Sequence, residues 1–127
     1  MHRPPSLRAK IGFALWVAVI LFVVTPWYGI RDHSHWSRVQ WIPFVTPPIR
    51  LWDVLLNLLF YVPFGFMYVR RSSSGRIWKA VAAGVALSTA TEISQVYSHG
   101  RFPSTTDLIC NTVGAYLGAL WAARRRG

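Results

Sequence analysis

Apolar residues fall in four long runs, at 11–28, 51–69, 77–97 and 107–123, separated by polar and basic stretches. Each run is close to the roughly 20 residues that a helix needs to cross a membrane. The first is uncharged, and the second is interrupted by Asp53, Asn57 and Pro63. The pattern predicts an all-α, polytopic membrane protein with four transmembrane helices, one domain over residues 1–127, and no β-sheet. Pro63 lacks a backbone N–H, so a kink is expected in the second helix. No A-x-A-like cleavage site follows the first run, which is therefore expected to stay as an anchor.

Charge placement orients this arrangement. Charged residues are only 14% of the chain, against roughly 25% in soluble domains. Of the fourteen Lys and Arg residues, ten lie in three clusters: Arg3, Arg8 and Lys10; Arg70, Arg71, Arg76 and Lys79; Arg124, Arg125 and Arg126. The other four, Arg31, Arg38, Arg50 and Arg101, fall on the opposite side. The positive-inside rule then places both termini and the 70–79 loop in the cytoplasm, with the 29–50 and 98–106 loops outside. Aromatic residues follow the same division, with Trp27, Tyr28, Trp52 and Tyr97 expected at the outer interface and Tyr68, Trp78 and Trp121 at the inner one. The net charge of +10 is thus assigned to anionic lipid headgroups rather than to nucleic acid. The expected location is the cytoplasmic membrane, with multiple passes.

The acidic residues are distributed differently. There are four, and three of them, Asp53, Glu92 and Asp107, lie in or at the ends of the apolar runs. A carboxylate costs about 2.5–3.5 kcal/mol at the centre of a membrane helix and less near its ends. Each has an amide one turn away: Asn57, Gln95 and Asn111. Asp53 and Asp107 begin outside-to-inside helices, where either could serve as an N-terminal cap, and Glu92 lies about 7–8 Å inside the outer end of the third. All six groups are expected in the outer half of the bilayer. Ala80, Gly84, Ser88 and Glu92 share one helical face, as do Asp107, Asn111, Gly114, Gly118 and Ala122. Small residues allow close helix packing, so both faces should point into protein. Asp53 to Asn57 and Asp107 to Asn111 share a D-x-x-x-N pattern, a faint internal repeat of two parallel hairpins.

Other chemistry is sparse. A lone Cys110 forms no internal disulfide and is read as a small packing residue. His33 and His35 form an H-x-H pair in a polar loop, and two histidines with one cysteine do not make a zinc site, so no metal or cofactor is expected. No nucleophile elbow or H-E-x-x-H motif occurs.

Two blocks are more specific. One is Asp53, Asn57, Phe60 and Pro63-Phe64-Gly65. The other is Glu92-x-x-Gln95, Gly100-Arg101, then Asp107-x-x-x-Asn111-x-x-Gly114-x-x-x-Gly118. In this order they resemble the VanZ-like family of small bacterial membrane proteins over residues 40–123; the first helix fits by hydropathy only. That family is named after a protein associated with resistance to the glycopeptide teicoplanin, and the resemblance implies no established reaction, substrate or catalytic residue.

Three readings follow from the residues taken with what this resemblance implies. Asp53, Asn57, Glu92, Gln95, Arg101, Asp107 and Asn111 form a candidate site for an amphipathic cell-envelope component or lipophilic glycopeptide, with Arg101 on a phosphate or carboxylate. Glu92 or Asp107 as general base in a small intramembrane hydrolase or transferase is the second. In the third the cluster is purely structural, with Arg101 paired to Glu92 or Asp107. Four helices leave little room for a transport path without homo-oligomerisation.

Overall fold

The computed structural model describes residues 4–45, 51–72 and 76–126. It contains four α-helices, α1 (Leu7–Val24), α2 (Leu51–Arg71), α3 (Ile77–Val96) and α4 (Thr105–Arg124), and a short 3-10 turn at Trp36–Arg38. There is no strand among the described residues, only isolated bridges from Ile30 to Ser98 and from Gln40 to Ser104. Arg3, Arg50 and residues 73–75 of the expected cytoplasmic loop lie outside the described residues.

Helix ends follow local chemistry. α1 starts four residues before the expected boundary because the Ser6 side chain accepts the Ala9 N–H at 3.3 Å, an N-cap that polar flanking residues concealed. It stops at Thr25, whose extended backbone (ψ 132°) is the conformation required before Pro26. α2 runs unbroken through Pro63. The Trp16 indole N–H donates to the Phe60 carbonyl at 2.8 Å, beside the Leu59 carbonyl that Pro63 leaves without its helical donor.

Only α1 and α2 are long and apolar enough to qualify as membrane-crossing helices among the described residues. α3 and α4, each of 20 residues, are about 30 Å long. Their apolarity is reduced by Ser88, Thr89, Thr91, Glu92, Ser94 and Gln95 in one and by Thr105, Thr106, Asp107, Asn111 and Thr112 in the other. All four helices nevertheless carry large apolar side chains on their outer surfaces. α1 exposes Leu7, Ile11, Leu15, Val19 and Phe22; α2 exposes Leu51, Leu55 and Leu59; α4 exposes Val113, Leu117 and Trp121. Apolar surface of that extent is not left to water, and these helices point to a membrane protein.

The helices alternate in direction, so that the start of α1 and the end of α4 lie together with the end of α2 and the start of α3. There the Arg126 guanidinium donates to the carbonyls of Val69 and Ser72, placing a cation on the last turn of α2. Arg71 lies over the Phe13 and Tyr68 rings, 4.1 and 4.8 Å from their centroids. Tyr68, expected at the inner interface, is turned inward against Phe13 and Phe64.

α2 and α4 share the closest contact. A Cβ at Gly65 would run into the Ala115 carbonyl, and one at Gly118 into the Val62 carbonyl. At Gly114 it would meet the Tyr61 Cβ at 3.0 Å, and at Gly84 the Ala115 Cβ at 2.8 Å. Both expected small-residue faces are buried at Ala80, Gly84, Ser88, Asn111, Gly114, Gly118 and Ala122. Alanine is ordinarily better than glycine in a helix by about 1 kcal/mol, so the sign of a glycine substitution reports the packing. Gly118→Ala should lower stability by about 1–3 kcal/mol, whereas Gly12→Ala, which meets only the Met67 Cε at 3.5 Å, should be neutral or stabilising. Thermal unfolding in detergent compares the two; a Gly118→Ala protein that melts with the parent would contradict this packing.

Candidate functional site

The polar residues gather at the end of the bundle opposite the helical termini, around the start of α4. The sequence Ser104-Thr105-Thr106-Asp107 is a capping-box pattern, in which the first side chain binds the third N–H of the helix and the fourth reaches back. Only part of this is built locally. Ser104 is the N-cap, and its hydroxyl accepts the Thr106 N–H at 3.2 Å. The Ser104 N–H is taken by the Glu92 carboxylate of α3 at 2.7 Å, not by Asp107. Asp107 is therefore not the cap expected from its position; it is the third helical residue and accepts the Asn57 amide N–H from α2 at 2.8 Å.

Two further bonds extend inward. The Asn111 amide N–H donates to the Ser88 hydroxyl at 2.8 Å. Its own carbonyl oxygen is buried without a partner among the described residues, and the buried Tyr61 hydroxyl lies beside Ser88 and Thr91. Gln95 turns away and donates to the Val24 carbonyl at 3.4 Å, tying α3 to the end of α1. The expected repeat between α2 and α4 is not carried into the pairing, because Asn57 meets Asp107 while Asn111 meets Ser88.

Arg101 and Asp53 complete the electrostatics. Asp107 lies within range of the charges of Asp53, Glu92 and Arg101, and Glu92 within range of Arg101. Arg101 and Asp53 are both exposed, and Arg101 forms no close ion pair with Glu92 or Asp107 among the described residues. The direct pairing considered from sequence is thus absent. Asn57, Glu92 and Asp107 are brought together with Ser104; Asp53 and Arg101 border them; Asn111 and Gln95 bond elsewhere.

A covering segment lies against this end. The Gln40 N–H donates to the Pro103 carbonyl at 2.8 Å, and the Thr105 N–H to the Gln40 carbonyl at 3.1 Å. The Phe44 N–H donates to the Thr106 hydroxyl at 2.9 Å, which holds Phe44 at a φ of 61°, an unusual conformation for a bulky residue. Sequence reasoning missed Ser104 and Thr106, although the S-x-x-D spacing carried the capping signal, and it missed Ser88, which resembled any small helical residue. The His33–His35 pair also gains a third member, since His99 packs against both rings.

Chemically, the cluster combines three carboxylates with one exposed guanidinium and several amide and hydroxyl groups. The VanZ/LLP1 family model matches residues 11–125, a span that includes all but the first turn of α1 and every polar residue of the cluster. No curated relative and no solved structure matches the chain.

The Asn57–Asp107 bond yields a reciprocal test. Asn57→Asp sets two carboxylates in contact and should destabilise by about 1–3 kcal/mol, as for a lost buried partner. Adding Asp107→Asn restores one amide and one carboxylate in exchanged positions and should recover most of the loss. A double variant no more stable than Asn57→Asp in a thermal melt would exclude direct contact.

Proposed function

The chain belongs to the VanZ/LLP1 family, and on that premise we propose that it binds the polar head of an amphipathic cell-envelope component or lipophilic glycopeptide. The apolar tails of such a ligand lie against the exposed apolar helix surfaces, while its head meets the polar cluster. In this reading all four helices span the cytoplasmic membrane, both termini are cytoplasmic, and the cluster opens outward. Ten of fourteen basic residues on the terminal side support that orientation. The observation that carries the proposal is Arg101: an exposed guanidinium beside Glu92 and Asp107 without a close ion pair to either among the described residues.

A guanidinium so placed suits a phosphate or carboxylate on the ligand, and the adjoining carboxylates suit an ammonium group. The purely structural reading is favoured by other bonds, those of Glu92 to Ser104 and of Asn57 to Asp107. The two readings separate at Arg101, which supports neither bond. Protein in anionic nanodiscs titrated with teicoplanin, and separately with a polyprenyl diphosphate lipid, should bind at least one saturably. Arg101→Gln should weaken that binding about 10–100-fold, the equivalent of one charge-assisted hydrogen bond, with the melting temperature unchanged. Equal affinity in parent and variant, or no binding of either ligand, would overturn the proposal.

A further inference from the structure

His33 and His35 lie in the segment between α1 and α2, and His99 lies 64 positions beyond His35 in the α3–α4 connection. The fold brings them into one cluster, with ring centroids 4.7 Å apart for His33 and His35, 5.2 Å for His33 and His99, and 4.4 Å for His35 and His99. One ring nitrogen of each lies within 4.8 Å of the others. We propose that His33, His35 and His99 form a three-imidazole site for a divalent late transition metal, Zn²⁺ in the first instance, joining the two connections at this end of the bundle.

Three observations support it. The first is spacing: tetrahedral Zn²⁺ with bonds of about 2.0–2.1 Å separates its nitrogen ligands by about 3.3 Å. The donors must therefore close by no more than about 1.5 Å, and the exposed His33 and His99 side chains have the freedom to do so.

The second is orientation. Metal-bound histidines ordinarily donate their other N–H to a carboxylate or backbone carbonyl, which fixes the tautomer. His33 Nδ1 lies 3.0 Å from the Asp32 carboxylate, and His35 Nδ1 lies 3.2 Å from the Val96 carbonyl. Both partners are acceptors, so Nδ1 carries the proton and Nε2 keeps its lone pair.

The third is scaffolding. The His35 N–H donates to the Val96 carbonyl at 2.8 Å and the Arg31 N–H to the Tyr97 carbonyl at 2.8 Å. Arg38 donates to the His99 carbonyl at 2.9 Å. These bonds thus hold both connections in register.

The charges facing the site are Arg31 and Arg38, which oppose a cation, and Asp32, which favours one. Three imidazoles fill three of the four positions of a tetrahedral ion and leave one for water. The site differs from the carboxylate cluster in residues and in chemistry, and it stands without the ligand proposed there.

The test uses the full chain without an affinity tag, stripped with chelator and titrated with Zn²⁺ alone by calorimetry, with bound metal counted by elemental analysis. One Zn²⁺ per chain is expected, together with a rise in melting temperature that chelator reverses. His33→Gln, His35→Gln and His99→Gln should each weaken binding at least tenfold, whereas His2→Gln should leave it unchanged. Cobalt loading should give the intense visible absorption of a tetrahedral site. Absence of a stoichiometric site, or Zn²⁺ binding unchanged in the His33→Gln, His99→Gln double variant, would overturn the proposal.

Discussion

Where α2 and α4 touch, their backbones approach too closely for a side chain at Gly65 or Gly118, and the position of the polar cluster depends on that contact. It brings Asn57 on one helix to Asp107 on the other, at 2.8 Å. α3 joins the same face through Gly84 and Ala115, and this carries Ser88 to Asn111 and Glu92 to Ser104. In a membrane, where lipid tails are as apolar as the helices, close van der Waals packing of small residues is a principal source of association. Filling the glycine sites would separate the helices and pull the cluster apart.

Within the cluster, Glu92 and Asp107 exchange the roles that local sequence suggests. A capping box would use Asp107 to receive the Ser104 N–H; Glu92 receives it instead. Asp107 is thereby available to Asn57, and one helix N-terminus is completed by side chains from two helices. An acid at that terminus is also favoured by the helix dipole. The arrangement accounts for an acid within an otherwise apolar segment, while leaving Arg101 outside the bonded network.

Much of the fold was legible because apolar run length and small-residue phase are direct physical constraints. The four helices, their buried faces and the gathering of Asn57, Glu92 and Asp107 follow from them. Less legible was what depends on distant partners. Nothing near His33 and His35 announced His99, since a loop histidine has no periodic signature. Ser88 and Ser104 read as small residues until their hydroxyls found Asn111 and Thr106. The start of α1 at Leu7 was hidden because Ser6 lies among prolines and basic residues, and a cap is a weaker signal than a hydrophobic run. Whether α3 and α4 cross a membrane is less legible, because Ser88, Thr91, Glu92 and Gln95 in one and Asp107, Asn111 and Thr112 in the other dilute their hydropathy.

Glu92→Gln tests the central claim, that the cluster handles a ligand as well as holding helices together. Glutamine keeps an oxygen for the Ser104 N–H and removes a charge that is costly to bury, so the protein should melt no lower than its parent. If Glu92 serves a ligand, cells carrying the variant should lose protection in a glycopeptide or envelope-stress assay while producing normal amounts of folded protein. A variant that is stable and fully protective would contradict the claim and leave the cluster as a structural clamp.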